Sequence, residues 1–288
     1  MKSSVRRAIA LIEMVRPLNS LMMAAAVLVG ALIVAPSHRD LSDNALRLLI
    51  GSIVGFSLTA SSMVFNDIMD VEIDRINAPH RPIPSGRASV EEAWVLFSVL
   101  SVVGIALSAL TGPYTLALAS SSLASSCLYS RWGKRLGLLG NAMVSYNVAI
   151  PIPYGSLLIE RIEPKILVFS LMIFLANMGR EVTKGIADEE GDKARGVRTL
   201  CVTRGPAVAA AVSVAFYSAA VALSPFPLLM GWTGPLYGAL VALVDFGFAY
   251  SSIELLRAPS RSSALKIKRR ALLLMLLGLL AFALSRIR

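Results

Sequence analysis

Nine apolar runs constrain the fold of this chain more than any other feature of its sequence. They cover roughly residues 18–35, 46–66, 93–111, 114–130, 138–159, 165–180, 207–223, 235–253 and 271–285. Each is close to the roughly 20 residues that an α-helix needs to cross the hydrocarbon core of a bilayer. Because lipid offers no partner for backbone polar groups, we expect the runs to be helical. The sequence therefore predicts an all-α integral membrane protein with nine transmembrane helices.

The composition excludes several other classes of protein. Hydrophobic residues make up 56% of the chain and charged residues only 16%, whereas a soluble domain carries about 25% charged residues. Two cysteines do not indicate a disulfide scaffold, and two histidines are too few for a histidine-rich metal site. The net charge of +10 is explained by basic cytoplasmic loops, so we expect no nucleic-acid partner.

The distribution of basic residues predicts the orientation. With the N-terminus in the cytoplasm, 22 of the 28 Lys and Arg residues fall in cytoplasmic segments. The other six fall in segments 36–47, 160–165 and 286–288 on the outer side. Membrane proteins carry their excess of Lys and Arg in cytoplasmic loops. We therefore expect a multi-pass protein of the cell membrane, with its N-terminus in the cytoplasm and its C-terminus outside.

The acidic residues cluster for a reason other than topology. Nine of the 18 lie in two short segments that the orientation assigns to the cytoplasm: Asp67, Asp70, Glu72, Asp74, Glu181, Asp188, Glu189, Glu190 and Asp192. Each segment follows an apolar run, contains an Asp-x-x-x-Asp pair and is followed by an arginine. The similarity suggests a two-fold internal repeat.

This clustering has a chemical interpretation. If the helix of run 46–66 continues, Asp67, Asp70 and Asp74 share one face. Clustered carboxylates repel one another unless a cation lies between them. Mg²⁺ prefers oxygen ligands and typically combines one or two carboxylates with substrate phosphates. Five basic residues on the same side are candidates for contacting such phosphates: Arg81, Lys134, Arg135, Lys184 and Arg198. The residues thus predict a magnesium–diphosphate site at the cytoplasmic mouth of an apolar bundle.

Simpler interpretations stay open for several of these residues. A charged loop between spans is usually only solvated, and Lys134 and Arg135 also serve as topology charges. Tyr129, Tyr146 and Asn147 either line a cavity or bridge helices.

Two stretches resemble the motifs of a known family. Residues 66–74, NDIMDVEID, fit the NDxxDxxxD motif of the UbiA superfamily of intramembrane prenyltransferases, and residues 81–86, RPIPSG, resemble its RPxxSG loop. Residues 181–192, EVTKGIADEEGD, resemble its second acidic motif. The resemblance runs over essentially the whole chain. It implies one domain, residues 1–288, of nine helices around a central cavity, capped by acidic loops 66–92 and 180–206.

The resemblance also implies roles for the candidate residues. The Mg²⁺ ligands would be Asn66, Asp67, Asp70, Asp74, Asp188 and Asp192. These five Asp residues form the catalytic set together with Glu181, a candidate base. Substrate binding would fall to Asn66, Arg81, Lys134, Arg135, Lys184, Arg198, Tyr129, Tyr146 and Asn147.

The second motif separates the branches of this family. The sequence of this motif is similar to that of the archaeal ether-lipid branch. That branch transfers a geranylgeranyl group from geranylgeranyl diphosphate to geranylgeranylglyceryl phosphate and so forms the second ether bond of the lipid. The quinone branch usually has DxxYxxxDxxxD, whereas this chain has Lys184 at the tyrosine position. Two alternatives remain: an aromatic acceptor such as 4-hydroxybenzoate or a naphthoate, and an ion-coupled secondary transporter with carboxylates near the bilayer midplane.

Overall fold

A computed structural model describes residues 2–194 and 196–286, and these residues contain helices and no strand. The helices are Lys2–Val15 (α1), Pro17–Val34 (α2), His38–Asp43 (α3), Ala45–Met69 (α4), Val71–Asn77 (α5), Val90–Thr111 (α6), Pro113–Arg131 (α7), Leu138–Ala149 (α8), Pro151–Leu158 (α9), Pro164–Ala187 (α10), Glu189–Ala194 (α11), Leu200–Arg204 (α12), Pro206–Leu223 (α13), Phe226–Leu229 (α14), Pro235–Arg257 (α15) and Arg261–Ala283 (α16). A single 3₁₀ turn, Gly133–Arg135, joins α7 to α8. The all-α prediction is confirmed.

Each of the nine predicted apolar runs lies almost entirely in helix. Within the described residues, six helical segments are long and apolar enough to cross a membrane: α2, α4, α6, α10, α13 with α14, and α15. The other three runs differ for visible reasons. Helix α7 carries the polar stretch SSSLASS, the run 138–159 is divided at Pro151 into α8 and α9, and α16 begins with basic residues. The number of nine spans therefore stays a prediction.

Prolines mark the starts of the long helices. A proline lies at the first or second position of α2, α7, α10, α13 and α15. This position suits proline because its missing N–H would have had no partner within the helix. Gly112 and Gly205, with φ of 138° and 85°, precede two of these helices and turn the chain between spans.

Helices α2 and α9 approach each other at two glycines. A Cβ atom on Gly30 would lie 2.1 Å from the carbonyl oxygen of Ile152, and one on Gly155 would lie 1.8 Å from that of Val27. Both distances are impossible for real atoms, so only glycine permits this contact. Small residues allow helix backbones to pack closely where lipid provides no hydrophobic driving force.

One end of the bundle, which we call the outer end, collects the segments predicted to face outside. Arg47 pairs with Glu160 at 2.6 Å, and the guanidinium of Arg286 donates to the carbonyl oxygen of Pro36. Segments 36–47 and 160–165 and the C-terminal segment thus meet at one end.

The opposite end, which we call the acidic end, holds the N-terminal segment and the acidic motifs. Arg87 pairs with Glu13 at 2.7 Å, and Arg16 pairs with Asp67 at 2.8 Å. Segments assigned to the same side of the membrane from their basic residues therefore lie at the same end of the structure.

Candidate active site

A cavity of about 860 Å³ opens at the acidic end and extends into the bundle. Its polar and charged lining includes Arg16, Asn66, Asp70, Arg81, Tyr129, Lys134, Asn147, Arg180, Glu181, Lys184, Asp188 and Asp192. Deeper in the bundle its wall is formed mainly by apolar side chains, among them Met22, Val54, Val241, Phe248 and Phe282. One cavity thus joins a charged mouth to an apolar interior.

The two acidic motifs share one local geometry. Asp70 and Asp188 stand where α4 and α10 end, with φ, ψ of −96°, 3° and −101°, 6°. A short acidic helix, α5 or α11, follows each break. The amides of Asp74 and Asp192 donate to the carbonyl oxygens of Asp70 and Asp188 at 2.7 and 2.9 Å, so the helical turn continues through the break. The acidic residues are therefore mostly helical and not part of open loops, because i to i−4 hydrogen bonds persist.

The first motif is held together by arginines. The Arg81 guanidinium donates to Asp74 at 2.6 Å and lies 3.5 Å from Asp67. Arg16 reaches the same Asp67 oxygen at 2.8 Å. Asp67 and Asp74 are 5% and 6% exposed. Two arginines therefore offset the repulsion between two buried carboxylates.

Lys134 and Asn66 hold the third carboxylate of this motif. The Lys134 ammonium lies 2.5 Å from Asp70. When the Asn66 amide is oriented to satisfy both its groups, it donates to Asp70 at 3.2 Å and accepts from Lys134 at 2.9 Å. Burial lowers the pKa of Lys134, although the Asp70 carboxylate acts in the opposite direction.

The second motif has a different charge arrangement. Glu181, buried on α10, accepts from Arg180 at 2.8 Å and from Lys184 at 3.3 Å. Asp188 and Asp192 line the cavity one and two turns beyond Lys184. Two cations therefore share the Glu181 carboxylate, whereas in the first motif Arg81 is itself shared between Asp67 and Asp74.

The structure brings most of the predicted site residues to the cavity, but not all of them. Tyr129 and Asn147 line it, whereas Tyr146 is absent from the lining and bonds to Ser121 at 2.7 Å. Arg135 and Arg198 are exposed and do not contribute to the lining. Asp67 and Asp74, two of the predicted Mg²⁺ ligands, are also absent from the lining and pair with Arg16 and Arg81. The roles assigned to these five residues stay predictions.

The donor chemistry of the cavity suits a magnesium ion. The cavity is lined by carboxylate and amide side chains from both motifs, those of Asn66, Asp70, Asp188 and Asp192. Their oxygen atoms are the type of ligand that Mg²⁺ prefers. In the described part of the chain, no group of three or more His, Cys, Asp or Glu side chains is already arranged around one point. The ion pairs of the first motif account for part of this, since Asp70 faces Lys134 and Asp74 faces Arg81.

Two basic residues of the cavity lining, Arg16 and Arg180, were not identified as site candidates by the sequence analysis. Arg16 reaches Asp67 across 51 positions of sequence and adopts the left-handed conformation at φ 47°, which local pattern does not reveal. Arg180 lies inside the span α10. A charged residue in a span is a functional candidate by default, so its position was the signal that could have identified it.

Comparisons with known proteins agree with the motifs. The model of the UbiA prenyltransferase family matches residues 23–284. A curated digeranylgeranylglyceryl phosphate synthase from Korarchaeum cryptofilum is 33% identical over 97% of this chain and 98% of its own length. The enzyme of the same name from Methanothermobacter thermautotrophicus is 35% identical over 94% of each chain.

Solved structures share the fold. One, described as digeranylgeranylglyceryl phosphate synthase in membranes, has a TM-score of 0.82 and 29% identity over 97% of this chain and 98% of its own. A UbiA homolog from Archaeoglobus fulgidus, bound to GPP and Mg²⁺, has a TM-score of 0.68 and 16% identity over 95% of this chain and 99% of its own. The chain belongs to the UbiA prenyltransferase family.

Proposed function

We propose that the protein transfers a geranylgeranyl group from geranylgeranyl diphosphate to the free hydroxyl of geranylgeranylglyceryl phosphate, forming the second ether bond of an archaeal lipid. The observation that carries this proposal is the single cavity with a charged mouth and an apolar interior. A prenyl diphosphate has the same two parts. The nearly full-length relatives named digeranylgeranylglyceryl phosphate synthase support the choice of donor and acceptor.

In this proposal Asn66, Asp70, Asp188 and Asp192, which line the cavity, hold Mg²⁺. Asp67 and Asp74 would join them only if their ion pairs with Arg16 and Arg81 opened. The Mg²⁺ bound by the A. fulgidus homolog supports the presence of a divalent metal. Bound Mg²⁺ would neutralise the charge that develops on the leaving diphosphate. Arg81 and Lys134, at the mouth of the cavity, would bind diphosphate oxygens and add to this stabilisation.

The apolar interior would serve the prenyl chain. Cleavage of the allylic C–O bond leaves a carbocation that water would capture. Side chains such as Val241, Phe248 and Phe282 line the deeper cavity and would exclude water from it. Both substrates are lipids, so we expect them to enter from the bilayer.

Glu181 has a second possible role beside that of a base. Glu181 is 6% exposed and accepts hydrogen bonds from Arg180 and Lys184. It therefore also holds these two side chains in position. That Glu181 accepts the proton of the attacking acceptor hydroxyl stays a prediction.

We also propose that residues 1–288 form one membrane domain, with the acidic end and the N-terminus in the cytoplasm. The excess of Lys and Arg in the segments at that end supports this orientation. A secondary transporter would place its carboxylates near the middle of the bilayer. Here Asp70 and Asp188 stand at helix ends, which favours an enzyme.

The proposal is tested by offering labelled geranylgeranyl diphosphate and Mg²⁺ to the purified protein, with geranylgeranylglyceryl phosphate and 4-hydroxybenzoate in separate reactions. We expect product only with the glyceryl phosphate. Product only with 4-hydroxybenzoate would replace the acceptor by an aromatic one. No product with either, together with ion movement in vesicles, would support the transporter.

A further inference from the structure

Arg180 and Lys184 form a cationic pair beside Arg81 and Lys134, the two residues that the proposed function assigns to the donor diphosphate. Arg180 and Lys184 lie one turn apart on α10 and both line the cavity. Both contact the buried carboxylate of Glu181, at 2.8 and 3.3 Å. Glu181 takes up one donor of each cation, and Asp188 also interacts electrostatically with Lys184. The pair therefore offers an anion its remaining N–H donors.

The Arg180 guanidinium also has unused donor capacity. Its Nε atom is buried and has no hydrogen-bond partner within the described chain. A buried N–H without a partner is destabilising, so such groups in native proteins call for an explanation such as a ligand. The planar fork of arginine matches two oxygens of a phosphate at once.

An adjoining face of α10, about 100° around the helix, holds this pair in its direction. The Thr183 and Ser213 hydroxyls are 2.7 Å apart, and Ser213 donates to the carbonyl oxygen of Gly179 at 2.8 Å. A Cβ atom on Gly179 would lie 2.7 Å from the ring of Tyr217. Helix α10 is thereby held against α13, and rotation of the pair away from the cavity is opposed.

Arg180 lies deeper in the bundle than Asp188, the acidic residue at which α10 ends. Arg180 precedes Asp188 by eight residues on α10, which places it about 12 Å further into the bundle at 1.5 Å per residue. Lys184 lies halfway between them. The reacting carbon of the donor must lie on the inner side of its diphosphate, toward the apolar wall. An acceptor that approaches this carbon would therefore meet the pair.

The chemistry of the acceptor fits this position. Of the three glycerol oxygens, one carries the prenyl chain, one the phosphate, and one is the free hydroxyl. The hydroxyl is thus only one or two carbons from the phosphate. We propose that Arg180 and Lys184 bind the acceptor phosphate and so select a phosphorylated acceptor over a neutral one. This inference rests on the proposed function.

The test removes the phosphate from the acceptor and the charge from the protein. With saturating geranylgeranyl diphosphate, transfer is measured to geranylgeranylglyceryl phosphate and to geranylgeranylglycerol, for the wild type, Arg180→Gln and Lys184→Gln. The KM for geranylgeranyl diphosphate is measured separately. Lys165→Gln, on the same helix but outside the cavity lining, is the matched control.

We expect each cavity variant to raise the KM for the phosphorylated acceptor by about 10- to 100-fold, the loss of one charge-assisted contact. Transfer to the neutral acceptor should fall less than transfer to the phosphorylated acceptor, the KM for the donor should rise less than the KM for the phosphorylated acceptor, and Lys165→Gln should resemble the wild type. Arg180→Lys should restore part of the preference for the phosphorylated acceptor.

Two results would overturn the inference. One is an unchanged preference for the phosphorylated acceptor in both glutamine variants. The other is a rise mainly in the donor KM, which would assign the pair to the diphosphate. If Arg180→Gln does not fold, Lys184→Gln, with a more exposed side chain, decides alone. A wild-type protein that does not use the glyceryl phosphate would refute the proposed function itself, before any variant is compared.

Discussion

Charge pairing at single residues gives the mouth of the cavity its character. Lys134 lies 2.5 Å from Asp70, and Arg81 lies 2.6 Å from Asp74. Each basic partner offsets the repulsion between neighbouring carboxylates, so the carboxylates lie close together without a ligand. Removing one partner would leave an uncompensated buried charge. The same basic side chains are close enough to the metal-binding candidates to contact a diphosphate held there.

Asp70→Asn and Asp188→Asn should each lower the rate of transfer by about 100-fold or more, since each would remove a proposed anionic ligand of the metal that stabilises the leaving group. The measurement is the initial rate on purified protein, with folding checked by size-exclusion chromatography. Glu72→Gln and Glu190→Gln are the matched controls, because these side chains are 81% and 87% exposed in the same two segments. Near-normal turnover in either aspartate variant would contradict the metal assignment.

Among single residues, the spacing of the acidic side chains predicted a shared site for Asp70, Asp188 and Asp192, and all three line the cavity. Asp74 was predicted there too but pairs with Arg81 outside the lining. The spacing did not predict which basic side chains join them. Arg135 and Arg198 lie on the correct side of the chain but are exposed, since a loop position does not determine the direction of a side chain.

At the scale of the helix, sequence pattern and structure agree on where helices occur and differ on where they break. Apolar runs predict helices because lipid leaves the backbone no alternative. The breaks at Asp70 and Asp188 occur within acidic stretches that contain no proline or glycine at the breaking position, so nothing local identifies them. The division of run 138–159 at Pro151 does have a local cause, because proline removes a helical hydrogen bond.

Gly30→Val should destabilise the protein by about 1–3 kcal/mol, the usual cost of overpacking a close contact. A Cβ atom there would overlap the carbonyl oxygen of Ile152 on α9, so α2 and α9 must separate. The measurement is the thermal unfolding midpoint in a mild detergent. Gly278→Val is the control, since no atom lies within 4 Å of a Cβ at that position. Equal midpoints for the two variants would show that the α2–α9 contact does not limit stability.

At the scale of the whole molecule, the two ends of the bundle differ in chemistry. The acidic end carries both motifs and the mouth of the cavity. The outer end carries surface ion pairs such as Arg47–Glu160. The distribution of Lys and Arg predicted which segments share an end. It could not predict the cavity itself, which depends on how helices distant in sequence pack together.

Cysteine labelling tests the orientation. In a protein whose native thiols are removed by Cys127→Ser and Cys201→Ser, Glu72→Cys and Arg39→Cys place single exposed thiols at the acidic and outer ends. A membrane-impermeant maleimide added to intact cells should label only Arg39→Cys, because the proposed orientation places the acidic end in the cytoplasm. Labelling of Glu72→Cys alone would reverse the orientation.

The most direct test of the proposed transfer reaction follows the oxygen atom that forms the ether. Geranylgeranylglyceryl phosphate labelled with ¹⁸O in its free hydroxyl is incubated with geranylgeranyl diphosphate, Mg²⁺ and the protein, and the product is analysed by mass spectrometry. Attack of this hydroxyl on the allylic carbon predicts a product that retains the label and that does not form when EDTA removes the metal. An unlabelled product, a product that still forms in EDTA, or no product would contradict the proposed reaction.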